Sequence, residues 1–275
     1  MKKIPWKMKV LVLFFLFGLS LFFYSRFVEP KLIEVNRLTL KFANLPKSVN
    51  GVKILQFSDL HLGKDFSLAK LKKVVAKINE LKPDLILFTG DLMDEPNKYK
   101  EIHLIADILK QAKAPLGKFA VYGNHDHGGY GTENYQKIMS LANFHVLQNC
   151  SIQINSHHIS RLTIAGIDDL MLGQPDYHKT LNGLRKNDFT ILLSHEPDAI
   201  EKAAGYKVDF QVSGHSHGGQ IRLPFYGSIN KPALYTQGLY EKKGTKLYVN
   251  RGLGTTRLPF RFFSLPEITL FTLAK

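Results

Sequence analysis

From residue 50 onward, short apolar runs alternate with segments whose apolar positions recur every three to four residues. Lys53–Phe57, Asp84–Phe88, Lys118–Tyr122, Phe189–Leu193 and Val208–Val212 read as buried strands, because each packs apolar residues into a run too short for a helix. After the first of them, Leu68, Leu71, Val74, Val75 and Ile78 share one face of a helix near Ser67–Leu81, with Ser67 able to cap it. A second helical pattern covers Lys98–Ala112. The C-terminal third is richer in Gly, Pro and short β-like segments and ends in an apolar strand pattern at Glu267–Leu273. Strands interleaved with helices predict an α/β protein with a mixed sheet. No long linker, internal repeat or low-complexity stretch interrupts residues 32–275, so they are predicted to form one domain.

The first thirty-one residues follow another pattern. Val10 to Tyr24 carries no charge, and a helix from about Trp6 to Val28 is long enough to cross a hydrocarbon core of roughly 30 Å. The residues after the apolar run, Phe22 to Phe27, offer no Ala-x-Ala-like cleavage site, which favours an uncleaved signal-anchor over residues 1–31 against a removed signal peptide. Lys2, Lys3, Lys7 and Lys9 precede the run, whereas Arg26 and Lys31 are offset by Glu29 after it. That asymmetry predicts a single-pass protein of the cell membrane with its N-terminus cytoplasmic and residues 32–275 extracytoplasmic.

Composition narrows the picture further. The chain has 275 residues, 44% of them hydrophobic, and a net charge of +14. That excludes intrinsic disorder, and the single cysteine, Cys150, excludes a disulfide framework and a multi-cysteine zinc cluster. Without the anchor, 31 basic residues still face 22 acidic ones. Such a balance suits a solvated surface, or attraction to anionic lipid headgroups, wall polymers or phosphate substrates. It would also suit nucleic acid, but no recognised reader motif and no basic–aromatic stripe is present. A specific nucleic-acid partner is therefore not expected, and no protein partner is inferred.

Chemistry gathers where the strands end. The five runs lead into Ser58-Asp59-Leu60-His61, Thr89-Gly90-Asp91, Gly123-Asn124-His125-Asp126, Ser194-His195-Glu196 and Ser213-Gly214-His215-Ser216-His217. In α/β folds such loops collect at one sheet edge, where ligands bind. Five of the 11 histidines lie in them. Asp and His are costly to bury unpaired, so clustering them calls for a partner charge, and carboxylate, amide and imidazole together suit a divalent transition metal. Each motif alone is modest: Asp-x-His recurs by chance, Gly-Asp can be a plain turn, and His195 could cap or fill a core. Their joint occurrence, always after a strand, is not modest. His103, His145, His157, His158 and His178 have no such context and are expected at the surface.

In this order the motifs closely resemble the calcineurin-like metallophosphoesterase superfamily, from Asp59 to His217. The extended Gly-His-Ser-His-Gly-Gly-Gln, Asn250 to Gly254, and Pro266-Glu267-Ile268-Thr269 look like its membrane-anchored bacterial branch. The resemblance implies a four-layer α/β/β/α sandwich of two mixed β-sheets with a dinuclear metal centre at one edge. It assigns Asp59, His61 and His217 to one divalent metal, Asn124, His195 and His215 to a second, and Asp91 to a bridge between them. The residues alone left open whether Asp59 or Asp91 bridges. His125 becomes a catalytic residue, a proton donor to the leaving oxygen or a stabiliser of the transferring phosphoryl group, oriented by Asp94 or, in competition, by Asp126. His127 is placed on the rim.

The implied reaction is metal-dependent hydrolysis of a phosphodiester or phosphoester bond by a metal-bridging hydroxide. Mn, Fe or Zn would fit the donors. Neither a phosphate-binding Gly-rich loop with Lys nor a serine nucleophile elbow is present. An anchored, basic domain favours a phosphate-containing lipid or cell-envelope polymer as substrate. The alternatives are a pyrophosphatase for a lipid-linked nucleotide sugar such as UDP-diacylglucosamine, a nucleic-acid phosphodiesterase, and a non-catalytic metal-binding scaffold. Asp168, Asp169, Arg222, Arg251, Arg257 and Arg261 are candidates to shape the pocket, with structural pairing the better reading for any one of them.

Overall fold

A computed structural model describes residues 5–99, 101–127, 131–156, 158–229 and 232–275. His157 lies outside the described residues. Fourteen strands and seven α-helices are present among them. One six-stranded sheet runs in the order β1 (Glu34–Lys41), β14 (Glu267–Ala274), β2 (Lys53–Phe57), β3 (Leu85–Phe88), β4 (Lys118–Ala120) and β5 (His145–Val146). The other runs β12 (Gly238–Lys242), β13 (Thr245–Val249), β9 (Phe210–Ser213), β8 (Phe189–Leu193), β7 (Leu162–Gly166) and β6 (Cys150–Ile154). Both are mixed. β2, β3, β4 and β5 are parallel neighbours, as are β7, β8, β9 and β13, while β14 runs antiparallel to β2 and β12 to β13. A separate hairpin pairs β10 (Arg222–Leu223) with β11 (Gly227–Ser228).

The period-2 pattern of the strands sorts their side chains into layers. Ile54, Leu85 and Leu87 face Ile164, Ile191 and Val212 in a core between the two sheets. Their neighbours Leu55, Phe57, Ile86 and Phe88 face outward under α2 (Leu68–Leu81), α3 (Ile102–Lys110) and α5 (Thr132–Leu141). On the far side, Ala165 and Leu192 meet α6 (Tyr177–Leu181) and α7 (Ile200–Ala203). This is the expected four-layer α/β/β/α sandwich. Ser67 caps α2 by accepting from Lys70 N at 3.4 Å. The second helix is shorter than its periodicity predicts: a 3-10 turn at Pro96–Lys98 precedes an extended Tyr99, and α3 starts only at Ile102. β1, which the sequence pattern did not signal, pairs with β14 in parallel along its whole length.

The N-terminal helix α1 (Trp6–Phe23) buries none of its residues in the domain. A π-helical turn over Tyr24–Val28 and a 3-10 turn over Glu29–Lys31 extend it to a 26-residue helical segment, long and apolar enough to cross a membrane. Its last turns dock on the domain. Arg26 pairs with Asp65 at 3.0 Å, Arg261 N donates to Ser25 O at 2.9 Å, and Phe22 meets Phe260. Glu29 is buried, its carboxylate accepting from Phe263 N at 3.0 Å and Ser264 N at 2.6 Å.

Candidate metal centre

The parallel strands of both sheets send their C-terminal ends to one edge. Asp59 and His61 follow β2, Asp91 follows β3, and His195 follows β8, with His215 and His217 after β9. Asn124 and His125 open the one-turn helix α4 (Asn124–His127) beyond β4. Packing this many side chains around one point bends the backbone. Asp59, His61, Asp91, His215 and His217 all have φ between 45° and 66°, the left-handed region that non-glycine residues rarely enter. Such conformations cluster where the surrounding structure dictates position. Glycine supplies the remaining closeness: a Cβ on Gly123 would collide with the Asp91 carboxylate, and one on Gly214 with Ser58 and Asp59.

The donor atoms fall into two groups. In the first, His61 Nε2 lies 3.1 Å from His217 Nε2, which lies 3.5 Å from Asp59 Oδ1. In the second, Asn124 Oδ1, His195 Nε2 and His215 Nδ1 form a triangle with edges of 3.2 Å. Asp91 Oδ2 touches both, 3.4 Å from His61 Nε2 and 3.3 Å from His195 Nε2. His195 Nδ1 donates to Thr89 O at 2.7 Å, so in a neutral ring Nε2 presents a lone pair to the Asn124 oxygen, acceptor against acceptor. A cation between them resolves the conflict, and donors bound to one cation at about 2.1 Å sit roughly 3.0–3.4 Å apart. The residues present therefore fit divalent metal.

Electrostatics agree with that fit. Burial, reinforced by His61 and Arg261, pushes the His217 pKa well below its usual value, and burial beside His195 brings His215 down to about 4. Both rings are thus held neutral, the form that ligates metal. Burial also opposes charge on His195, yet Asp91 and Asp59 outweigh it and raise its pKa well above normal, so the place between the donors that suits a cation is taken by a proton on Nε2 when no cation is bound. Burial opposes ionisation of Asp91, but the imidazoles of His195 and His61 hold its carboxyl well below the ordinary range. The carboxylates draw positive charge into the space between the rings.

His125 is half-exposed at the mouth. Its Nδ1 lies 2.9 Å from the Asp94 carbonyl, while the Asp94 carboxylate approaches His61 Nδ1 at 3.5 Å and His125 Nδ1 at 3.7 Å. Asp126 turns away from the ring: its carboxylate accepts from the backbone N–H groups of Asp91, Leu92 and Gly123 at 2.8 to 3.0 Å. His127 is held at 2.7 Å by Asp168, away from the donors. His103, His145, His158 and His178 are exposed. A cavity of about 580 Å³ opens over the donors, walled on its other side by Met171, Ile221, Ile229, Arg257 and Leu258.

The calcineurin-like phosphoesterase model matches residues 52–219, the stretch that carries all seven donors and His125. The chain belongs to the calcineurin-like phosphoesterase family. It is a metallophosphoesterase, a hydrolase of phosphate esters. It is 50% identical over 91% of its length, and 88% of the other chain, to the uncharacterized metallophosphoesterase YkuE of Bacillus subtilis. It is 30% identical to the UDP-2,3-diacylglucosamine pyrophosphatase LpxG of Chlamydia muridarum, covering 90% of this chain and 91% of that one. A transmembrane protein with metallophosphoesterase domain from Danio rerio is 32% identical, over 87% of this chain and 56% of its own. The apolar helix and that relative's name support a membrane anchor in this phosphoesterase.

Several residues that shape the site carry no motif. Arg261 is fully buried, donating to the carbonyls of Gly252, Gly254 and Ser264, with one nitrogen 3.4 Å from His217 Nδ1. Arg251 pairs with Glu34 and Glu267, and Arg222 donates to Gly218 O at 3.1 Å. Asp168 and Asp169 accept from neighbouring backbone N–H groups and brace their own loop. Of the four candidate arginines, only Arg257 lines the cavity. Gln56, buried in β2, joins the sheets beneath the centre by donating to Ser213 O at 2.9 Å and Thr89 Oγ1 at 3.2 Å. Apolar context gave no sign of that role.

Proposed function

We propose that the protein hydrolyses phosphodiester bonds in a membrane or cell-envelope substrate, using two divalent cations held at the sheet edge. The observation that carries this reading is the meeting of two donor groups at one oxygen, Asp91 Oδ2. Asp59, His61 and His217 with Asp91 hold one cation; Asn124, His195 and His215 with Asp91 hold the other. Mn, Fe or Zn suits this mixture of oxygen and nitrogen. When bound, such cations neutralise phosphoryl charge and make a water nucleophilic near neutral pH.

The chain's own part is orientation and proton transfer. Nδ1 of His125 is taken by the Asp94 carbonyl, leaving Nε2 for the leaving oxygen. Burial lowers the His125 pKa, but Asp91 and Asp94 outweigh it and raise it, favouring the proton-carrying ring. Asp94 is the positioning residue. The four lysines before the uncharged run favour a cytoplasmic N-terminus with the phosphoesterase domain on the opposite face of the cell membrane.

A second reading, pyrophosphate hydrolysis in a lipid-linked nucleotide sugar such as UDP-diacylglucosamine, is supported by the apolar wall of the cavity beside the donors. The likeness to LpxG points the same way. The test uses the full chain in detergent, stripped of metal and resupplied with Mn²⁺, Fe²⁺ or Zn²⁺, acting on bis-p-nitrophenyl phosphate and on UDP-diacylglucosamine. Turnover should return with metal, fall roughly 10²–10⁴-fold in His125→Ala, and disappear with most bound metal in Asp91→Asn. Which substrate turns over faster separates the two readings. Full metal content and full turnover in Asp91→Asn would overturn both.

A further inference from the structure

Met171, Ile229 and Leu258 line the cavity over the donors and are 60%, 58% and 57% exposed. The β10–β11 hairpin projects Phe225, fully exposed with φ 67°, and Tyr226, 76% exposed. On the loop that follows the cavity-lining Leu258, Phe263 is 62% exposed. A single exposed apolar residue is unremarkable, but several large ones on a hairpin and a loop beside one cavity mark an interaction surface. Their place in the fold says what they meet.

Hairpin, loop and anchor form one continuous unit. Arg222 N donates to Phe262 O at 2.8 Å, and Phe262 N donates to Gln220 O at 3.0 Å, so the base of the hairpin is annealed to the loop over residues 258–263. That loop in turn lies on the end of the anchor: the Phe260 ring is 5.4 Å from Phe22, and the Phe262 ring is 6.4 Å from Tyr24. Phe22 and Tyr24 close the uncharged run, and Arg26 is the first charge after it. If α1 spans a bilayer, this is the level at which hydrocarbon gives way to headgroups, so the loop and hairpin are held at that level too. Aromatic rings settle favourably at such a boundary, while Arg222 and the exposed Arg257 suit anionic headgroups.

We propose that the Phe225–Tyr226 hairpin tip, with Leu258 and Phe263, is a lipid-contacting surface that seats the cavity mouth on the bilayer holding α1, so that a membrane-resident phosphate compound reaches the donors without leaving the lipid. The substrate consequence rests on the function proposed above; the surface itself rests only on α1 spanning the membrane. Amphipathic surfaces of this kind sink about 5–10 Å into the headgroup region.

The test uses tryptophan, because Trp6 in the anchor is the chain's single one. With Trp6→Phe as background, Phe225→Trp, Phe263→Trp and Leu141→Trp are made separately in the full chain. Leu141 is an exposed residue at the far end of α5, by the opposite edge of the sheets. Each variant is reconstituted in vesicles of phosphatidylglycerol and phosphatidylcholine, with or without bromine on the acyl chains. Brominated lipid should quench roughly half the emission at positions 225 and 263 and little at 141. Emission at 225 and 263 no more quenched than at 141 would overturn the surface. Quenching is read without turnover, so an inactive protein would count against the hydrolase reading and leave this one to be decided.

Discussion

The two donor groups at the sheet edge are held by different parts of the molecule. Around Asn124, His195 and His215 the supports come from the sheet-edge loops themselves: Thr89 O fixes His195, Gly214 N donates to His195 O, and Asp126 ties the backbones of Asp91, Leu92 and Gly123 together. Around Asp59, His61 and His217 the sheet-edge loops supply Gly90 O to Asp59 N and Asp91 O to His61 N, and the C-terminal segment and the anchor's last turn add further supports. Gly254 N donates to Asp59 O at 2.7 Å, Ser264 Oγ to His217 O at 2.8 Å, and Glu29 holds the Phe263–Ser264 backbone that carries Arg261 against His217. One half is a property of the sandwich core. The other depends on a segment usually regarded as a mere tether.

The largest effect expected from this difference lies at Asp126. Replacing it with Ala leaves three buried backbone N–H groups without their acceptor, each costing about 1–3 kcal/mol. Because these groups position Asp91, which both donor groups share, Asp126→Ala should lower thermal stability sharply and release both metals together in a chelator titration. Stepwise release with one metal retained would break the picture of Asp91 as the common point.

Glu29→Gln should be milder and one-sided. It keeps the shape but weakens the hold on Phe263 and Ser264, and supports at this remove from a metal typically cost 10–100-fold in affinity. One metal should come off about tenfold more readily, with the second unchanged, measured by metal content per chain against chelator concentration. Removal of residues 1–31 should act in the same direction, because it deletes Glu29 along with the span. Equal loosening of both metals would mean that the two halves are not separately braced.

The same contrast governs what could be read from the chain beforehand. The second half, and the strands below it, declared themselves: Phe189–Leu193 has the apolar run of a buried strand and ends in the histidine it delivers. Asp59, His61 and His217 were equally visible as motifs, yet their supports were not. Glu29 reads as a charge at the end of a span and Arg261 as one surface charge among many, because Glu29 is buried by partners more than 200 residues away in the chain and Arg261 by carbonyls of a loop that only the fold closes around it. Periodicity sees local patterns, and β1 was likewise missed because its partner is the last strand of the protein. The contact of the His125 ring also waited for the fold: Asp126 is its neighbour in sequence and Asp94 lies 31 residues away, yet the Asp94 carbonyl meets Nδ1 while the Asp126 carboxylate turns to backbone N–H groups.

The smallest expected effect sits on the rim, where His127 and Asp168 form an ion pair outside both donor groups. Burial opposes ionisation of Asp168, but His127, Gln174 N and Gln148 bring its pKa down to about 2. The Asp168 hydrogen bond, outweighing burial, raises that of His127. A depressed carboxyl contributes stability above its unfolded value of about 4, and that contribution fades as pH falls toward 2. A raised imidazole contributes fully below its unfolded value of about 6.5 and loses its share as pH climbs through the raised value. The pair is therefore most stabilising between these limits. Thermal melts of the parent and Asp168→Asn should differ most near pH 5–6 and converge toward pH 2, with metal content unchanged. A difference that stays constant across that range would mean that the charge of Asp168 contributes nothing and its packing alone matters, and loss of metal in the variant would place the rim inside the second half's bracing.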